Sequence, residues 1–158
     1  MNVSLSDSDV LKLVPNANFI PYNDIHKLTL DQILGKGRMA FILYLIKEDY
    51  GHWVCLFERD GHISYFNSYG ESPDCDLRFI DSDIRYLLNE VEPWLFEKIA
   101  QSGLPAEYND CMIQKRKKGI NTCGRHCVFR LWNRHLSPDD YIKSLDNVCK
   151  ENKMDPDK

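Results

Sequence analysis

Long apolar runs are missing. The longest in this 158-residue chain, Met39–Ile46 (MAFILYLI), has the length of a buried strand and falls far short of the ~20 residues that cross a bilayer. No membrane partner is therefore expected. A basic excess is missing too: 20 Lys and Arg stand against 24 Asp and Glu, a net charge of −4, so no overall field draws in nucleic acid. The one basic run, Lys115–Lys118 (KRKK), reads as a solvated loop with at most a weak nucleic-acid or acidic-partner contact. The first ten residues, MNVSLSDSDV, are polar and acidic where a secretory leader has a basic and then an apolar segment, so secretion is not expected. No C-x2-C or H-x3-H pair is present. This leaves Cys111, Cys123, His126 and Cys127 as a poor zinc set, and no metal or cofactor is expected. Repeats and linkers are absent as well, which gives a single domain over 1–158 with fraying at 1–5 and 152–158.

What is present is an ordinary soluble composition, 43% hydrophobic and 28% charged. The six cysteines read as reduced thiols of a chain large enough to build its own core. SLSDSDVLKLV predicts a helix capped by Ser6 or Ser8, with Val10, Leu11, Leu13 and Val14 behind it. PNANFIPYND reads as a loop, and TLDQIL as a helical turn or two closed by GKG. RMAFILYLIK predicts a central strand buried on both faces. HWVCLFE and HISYFN predict a hairpin about Asp60-Gly61, with pairs 57/64, 55/66 and 54/67. DSDIRYLLNEV is helical, with Ile84, Leu87, Leu88 and Val91 in register, and a further helix starts at Pro93. YNDCMIQ reads as a short strand. TCGRHCVFRLWNRHL predicts a helix with Cys127, Val128, Leu131 and Trp132 on its core stripe, and Ser137-Pro138 starts a last helix. Strands cluster apart from helices. The expected class is α+β, a mostly antiparallel sheet with helices packed on it.

One constellation carries chemistry. Cys123 stands where a helix should begin, and the amide dipoles there favour a thiolate. Gly124 follows and leaves room for a substrate backbone. A cysteine nucleophile needs a base from elsewhere, and His52 opens the first hairpin strand. Asn67 closes the second strand at the same end and can accept a hydrogen bond from the imidazole, with Asp110 as the rival orienting group. Gln114 precedes the connection to Cys123, where its amide and the Cys123 N–H can hold an oxyanion. Cys127 and Cys55 read as core, His126 as a partly exposed helix residue, His62 and His135 as surface or satisfied histidines, and His26 as a loop residue. Glu48 and Asp49 read as solvated loop.

The stretch GHWVCLFERDGHISYFNSYG, followed by a Gln before NTCGRHCVFRLW, resembles the adenovirus-type maturation cysteine proteases, relatives of the SUMO and ubiquitin-like-protein proteases. SDVLKLVPNANFIPYNDIHKL resembles the opening helix and loop of that family, so the likeness covers roughly residues 6–135. It implies a papain-like (adenain-like) core with His52 as base, Asn67 as orienting partner, Cys123 as nucleophile and Gln114 as oxyanion donor. Trp53 would shield the His52–Asn67 pair or line the cleft with Gly124. The resemblance further implies a polypeptide substrate cut after small, Gly-type residues, as in capsid or core maturation. It also implies a host cytoplasm, viral factory or virion location and an activating peptide, for which Cys75 or Cys111 is a candidate pairing site. The chain departs from the family pattern in two ways. An amide, Asn67, stands where relatives carry Asp or Glu, and nine positions separate Gln114 from Cys123 (123 − 114), with KRKKG between. The rival expectations are removal of a ubiquitin-like modifier and a binding module with a relic triad.

Overall fold

The computed structural model describes residues 6–47, 50–87, 90, 92–114 and 122–153. Glu48, Asp49, Leu88, Val91 and the Lys115–Lys118 run lie outside them, as do both extreme termini. Helix α1 (Asp7–Leu13) opens with a capping box: the Ser6 hydroxyl accepts the Asp9 N–H, and the Asp9 carboxylate accepts the Ser6 N–H. Val10 and Val14 are buried, whereas Leu13 is 42% exposed. The expected loop that follows contains a strand, β1 (Asn18–Pro21), paired parallel to β2 (Met39–Lys47) from Asn18↔Ala40 to Pro21↔Leu43. Asn and Pro mask it in the sequence, but Pro at the end of an edge strand sacrifices no ladder bond. A 3₁₀ turn (Tyr22–Lys27) and α2 (Leu30–Leu34) follow, the latter capped reciprocally by Thr29 and Gln32.

Strands β3 (Tyr50–Arg59) and β4 (His62–Phe66) form the expected hairpin. Asp60 and Gly61 both take positive φ, 48° and 76°, the turn whose twist matches the flanking strands. The 57/64 and 55/66 pairs form, but the ladder ends at Cys55↔Phe66. The expected 54/67 pair is absent, so β3 and β4 part beyond it. The short strand expected at 108–114 lies instead at β5 (Ala106–Tyr108), parallel to β4. Asn109 ends it by replacing the ladder with its side chain: Oδ1 accepts the Asn67 N–H at 3.1 Å and Nδ2 donates to the Asn67 carbonyl at 2.7 Å.

The sheet order is β1-β2-β3-β4-β5, with parallel outer pairs and antiparallel inner pairs. The fold is α+β as expected, and the sheet is mixed rather than mostly antiparallel. Alternation along the strands feeds two cores. Ala40, Ile42, Tyr44, Val54 and Leu56 pack on one face with Tyr22, Ile25, Ile33 and Leu34 and with Leu95 and Ile99 of α4 (Trp94–Gln101). Phe41, Trp53, Cys55 and Phe57 pack on the other face with α1, α5 (Cys123–Trp132) and Tyr141 of α6 (Pro138–Glu151). This double covering explains the unbroken apolar run of β2. Helix α3 (Ser82–Leu87) is peripheral, and its Leu87 is 81% exposed. No helix among the described residues is long and apolar enough to cross a membrane.

Candidate active site

The site forms where β3 and β4 separate. The β2–β3 ladder is irregular at Leu45/Lys47, opposite Gly51 and Tyr50, and such bulges re-aim the side chains beside them. His52 follows directly. It is 4% exposed, and its Nε2 lies 2.8 Å from Asn67 Oδ1. The orientation of the Asn67 amide is fixed independently. The Tyr69 backbone N–H reaches the same Oδ1 at 2.9 Å, and a backbone N–H can only donate. Asn67 Oδ1 is thus an acceptor, and His52 Nε2 carries the proton. In the neutral ring Nδ1 is then the basic nitrogen. It is buried and has no hydrogen-bond partner among the described residues.

Cys123 is the first residue of α5. Its sulfur faces four influences. Burial raises its pKa, while the neighbouring His52 ring and the backbone N–H groups of Trp53 and Gly124 lower it; the net direction is downward. Burial alone would lower the His52 pKa, but the Cys123 sulfur, the Asp76 carboxylate and Asn67 outweigh it, and the net direction is upward. A thiol held below its usual range beside an imidazole held above its own favours the thiolate–imidazolium pair. Helix α5 adds to this. Thr122 at its N-cap makes no side-chain capping bond, and Cys123 N–H is among the helix-start donors without an intrahelical acceptor.

Gln114 is brought to the same turn as Asn67. Its N–H donates to the Ser68 carbonyl at 2.9 Å, and its Oε1 accepts the Ser68 hydroxyl at 2.8 Å. The Ser68 hydroxyl therefore holds the oxygen end of the amide. Gly70 allows the approach: its φ is +74°, and a Cβ there would lie 2.7 Å from the Cys111 carbonyl carbon.

Several expectations change. The ring that covers His52 is that of Tyr69, stacked at 4.2 Å between centroids and 16° between planes. Trp53 is buried between Phe19 and Phe41 in the second core and gives the site its backbone N–H rather than its indole. Alternation along β3 explains this, since neighbours on a strand face opposite ways. His126 is buried, not partly exposed. Trp132 leaves the core stripe: it is 50% exposed, and its indole N–H donates to the Leu13 carbonyl. Asp110 is exposed and does not orient His52. The carboxylate near the ring is Asp76, whose Oδ2 accepts from Asn67 Nδ2 and lies 4.0 Å from His52 Nε2. Nothing in DCDLRF marked it, because Asp76 reaches the site through a 3₁₀ turn (Cys75–Phe79) rather than a strand end. Cys127 and Cys55 are core residues in contact through the Cys127 carbonyl. All six cysteines are free, and Cys111 is exposed. Among the described residues no three His, Cys, Asp or Glu side chains are grouped to hold a metal.

No family model matches the chain. A virophage protein does: "Uncharacterized protein V9" of Sputnik virophage is 38% identical over 158 residues, covering 98% of this chain and 90% of that protein. The chain belongs to the V9 family. A V9-family chain has viral kin, which agrees with a viral setting. The V9 name states no activity, so the chemistry rests on the residues.

Proposed function

We propose that the protein is a cysteine endopeptidase with a papain-like arrangement of the maturation-protease kind. The observation that carries the reading is the His52–Asn67 bond with its fixed tautomer, beside a helix-start cysteine whose thiol is held low. The Cys123 thiolate attacks the scissile carbonyl carbon and forms a C–S bond, and the electron pair moves onto the oxygen. The Gln114 amide and the Cys123 N–H hold that oxyanion. The intermediate collapses as the His52 imidazolium gives its proton to the leaving amine, and an acyl-enzyme thioester remains. His52 then takes a proton from water, the hydroxide attacks the thioester, and Cys123 leaves as thiolate while the acid product departs.

Gly124 beside the nucleophile and the Trp53 backbone against its sulfur support cleavage after small, Gly-type residues. The virophage relative favours viral capsid or core precursors as substrates and a viral factory or virion as the setting. The test pairs two substrates: a set of peptides with Gly before the scissile bond, and a Gly-Gly-ended ubiquitin-like modifier fused to a reporter. Cleavage of the first set, lost in Cys123→Ala, supports the proposal. Cleavage of the modifier alone moves the reading to deconjugation. Turnover of neither, with Cys123 unreactive toward a Gly-based electrophile, leaves a binding module with a relic triad.

A further inference from the structure

The orienting position carries an amide where an imidazolium needs a negative charge. An Asn fixes the tautomer of its histidine but gives the charged ring only a dipole. The structure places a carboxylate one residue further back. Asp76 is 4% exposed, at the start of the 3₁₀ turn Cys75–Phe79. Its Oδ2 accepts from Asn67 Nδ2, and the same oxygen lies 4.0 Å from His52 Nε2. Asn67 Oδ1, at the other end of that amide, accepts from His52 and from the Tyr69 N–H. A carboxylate bonded to the NH₂ end of an amide draws electron density toward its oxygen, so the bond to His52 strengthens as the ring gains a proton. A buried carboxylate also needs a compensating charge, and the His52 ring lies within ion-pair distance of this one.

We propose that Asp76 is a positioning residue for His52: through the Asn67 amide it supplies the negative charge that the orienting position lacks, and so holds the imidazolium beside the Cys123 thiolate. This rests on the peptidase reading and deepens it. The groups facing the ring agree. Cys123 comes from α5 and bears on the ring from that element. Tyr69 covers one face. Tyr65 of β4 faces Asp76, and Tyr44, register partner of His52 on β2, meets Tyr65 and Asp74; burial holds both phenols well above their ordinary range, so they stay neutral. Asp76 is the carboxylate that comes within 4.0 Å of Nε2. The Asp76 charge raises the His52 pKa and is not among the main influences on the Cys123 sulfur, so removing the carboxylate should weaken the imidazolium more than it favours the thiolate.

The test needs no substrate. Alkylation of Cys123 by iodoacetamide at pH 6 reads the thiolate–imidazolium pair, whereas at pH 10 hydroxide ionises the thiol regardless. Asp76→Asn keeps an acceptor for Asn67 Nδ2 and removes the charge. The expected result is about a tenfold fall in the pH 6 to pH 10 rate ratio, with the His52 ring titration, followed by NMR, moving down about one pH unit. The double variant Asn67→Asp with Asp76→Asn moves the charge onto the position bonded to His52, and should restore the ratio to within about threefold. An Asp76→Asn protein that folds and keeps both the ratio and the titration overturns the proposal and leaves Asp76 as a structural buttress. A double variant no better than the single one overturns it too. If Asp76→Asn does not fold, the double variant decides alone: a wild-type ratio supports the proposal and a low one overturns it. Failure of the parent reading looks different, since Cys123 would then resist alkylation at pH 6 in the wild type and in His52→Ala alike.

Discussion

Two cysteines one turn apart on α5 make the clearest contrast in the molecule. Cys123 and Cys127 are both buried, at 6% and 0% exposure, and both pack in the second core. Their thiols move in opposite directions. At Cys127 burial and the neighbouring Cys55 thiol push the pKa well up. At Cys123 the same burial is overcome by His52 and by the N–H groups of Trp53 and Gly124. Burial alone therefore does not make a thiol inert. The imidazole, the β3 amide of Trp53 and the helix-start amide of Gly124 make the difference, and they act on the first residue of the helix.

Breaking the reactive end should have the largest effect. Cys123→Ala is expected to abolish peptide cleavage and low-pH alkylation while the thermal midpoint stays within a few degrees, checked by turnover and by thermal unfolding on the same sample. His52→Ala should follow, with a loss of about 10²–10⁴ in Cys123 alkylation at pH 6; a rate unchanged from wild type would remove the imidazole from the contrast. Gln114→Ala sharpens it differently. Turnover should fall by about 10²–10³ with the alkylation rate nearly intact, because the amide serves the oxyanion and not the thiol. At the inert end, Cys127→Ala should cost about 1–2 kcal/mol of stability in denaturant unfolding and leave the alkylation of Cys123 within about threefold. Cys127 thus reports on packing, and Cys123 on chemistry.

The smallest effect lies on the other face of the sheet. Glu90 accepts the Leu45 N–H at 2.7 Å just before the irregular stretch of β2, and its second carboxyl oxygen is buried without a partner among the described residues. Burial raises its pKa from 4.5 to about 7. A carboxyl raised in the folded state contributes stability below its unfolded value and loses it as pH rises through the folded one. Stability from this group should therefore decline between about pH 4.5 and pH 7. Glu90→Gln should flatten that slope in a series of denaturant midpoints.

Much of this was legible in the sequence, for reasons that can be named. The hairpin followed from Asp60-Gly61, the central strand from the apolar run of β2, and the first and last helix starts from Ser6 and Ser137. The order of His52, Asn67 and Cys123 pointed to partners that the structure brings to one place. What escaped depends on tertiary capture. Strand β1 exists because the edge of β2 accepts it, and β5 stops at Tyr108 because the Asn109 side chain takes over the pairing. Asp76 and Tyr69 sit in irregular segments without a period to read, and tertiary contacts bring Asp76 to Asn67 and the Tyr69 ring onto His52. His126 carries a charge-bearing side chain, which suggested solvent, yet the first turn of α5 is covered on that side too.

Limiting iodoacetamide at pH 6, followed by peptide mapping of all six cysteines, tests the central claim most directly. The account predicts that Cys123, although only 6% exposed, is alkylated ahead of the exposed Cys111, and that His52→Ala reverses that order. Alkylation of Cys111 or Cys75 first, with Cys123 inert in both proteins, would contradict it.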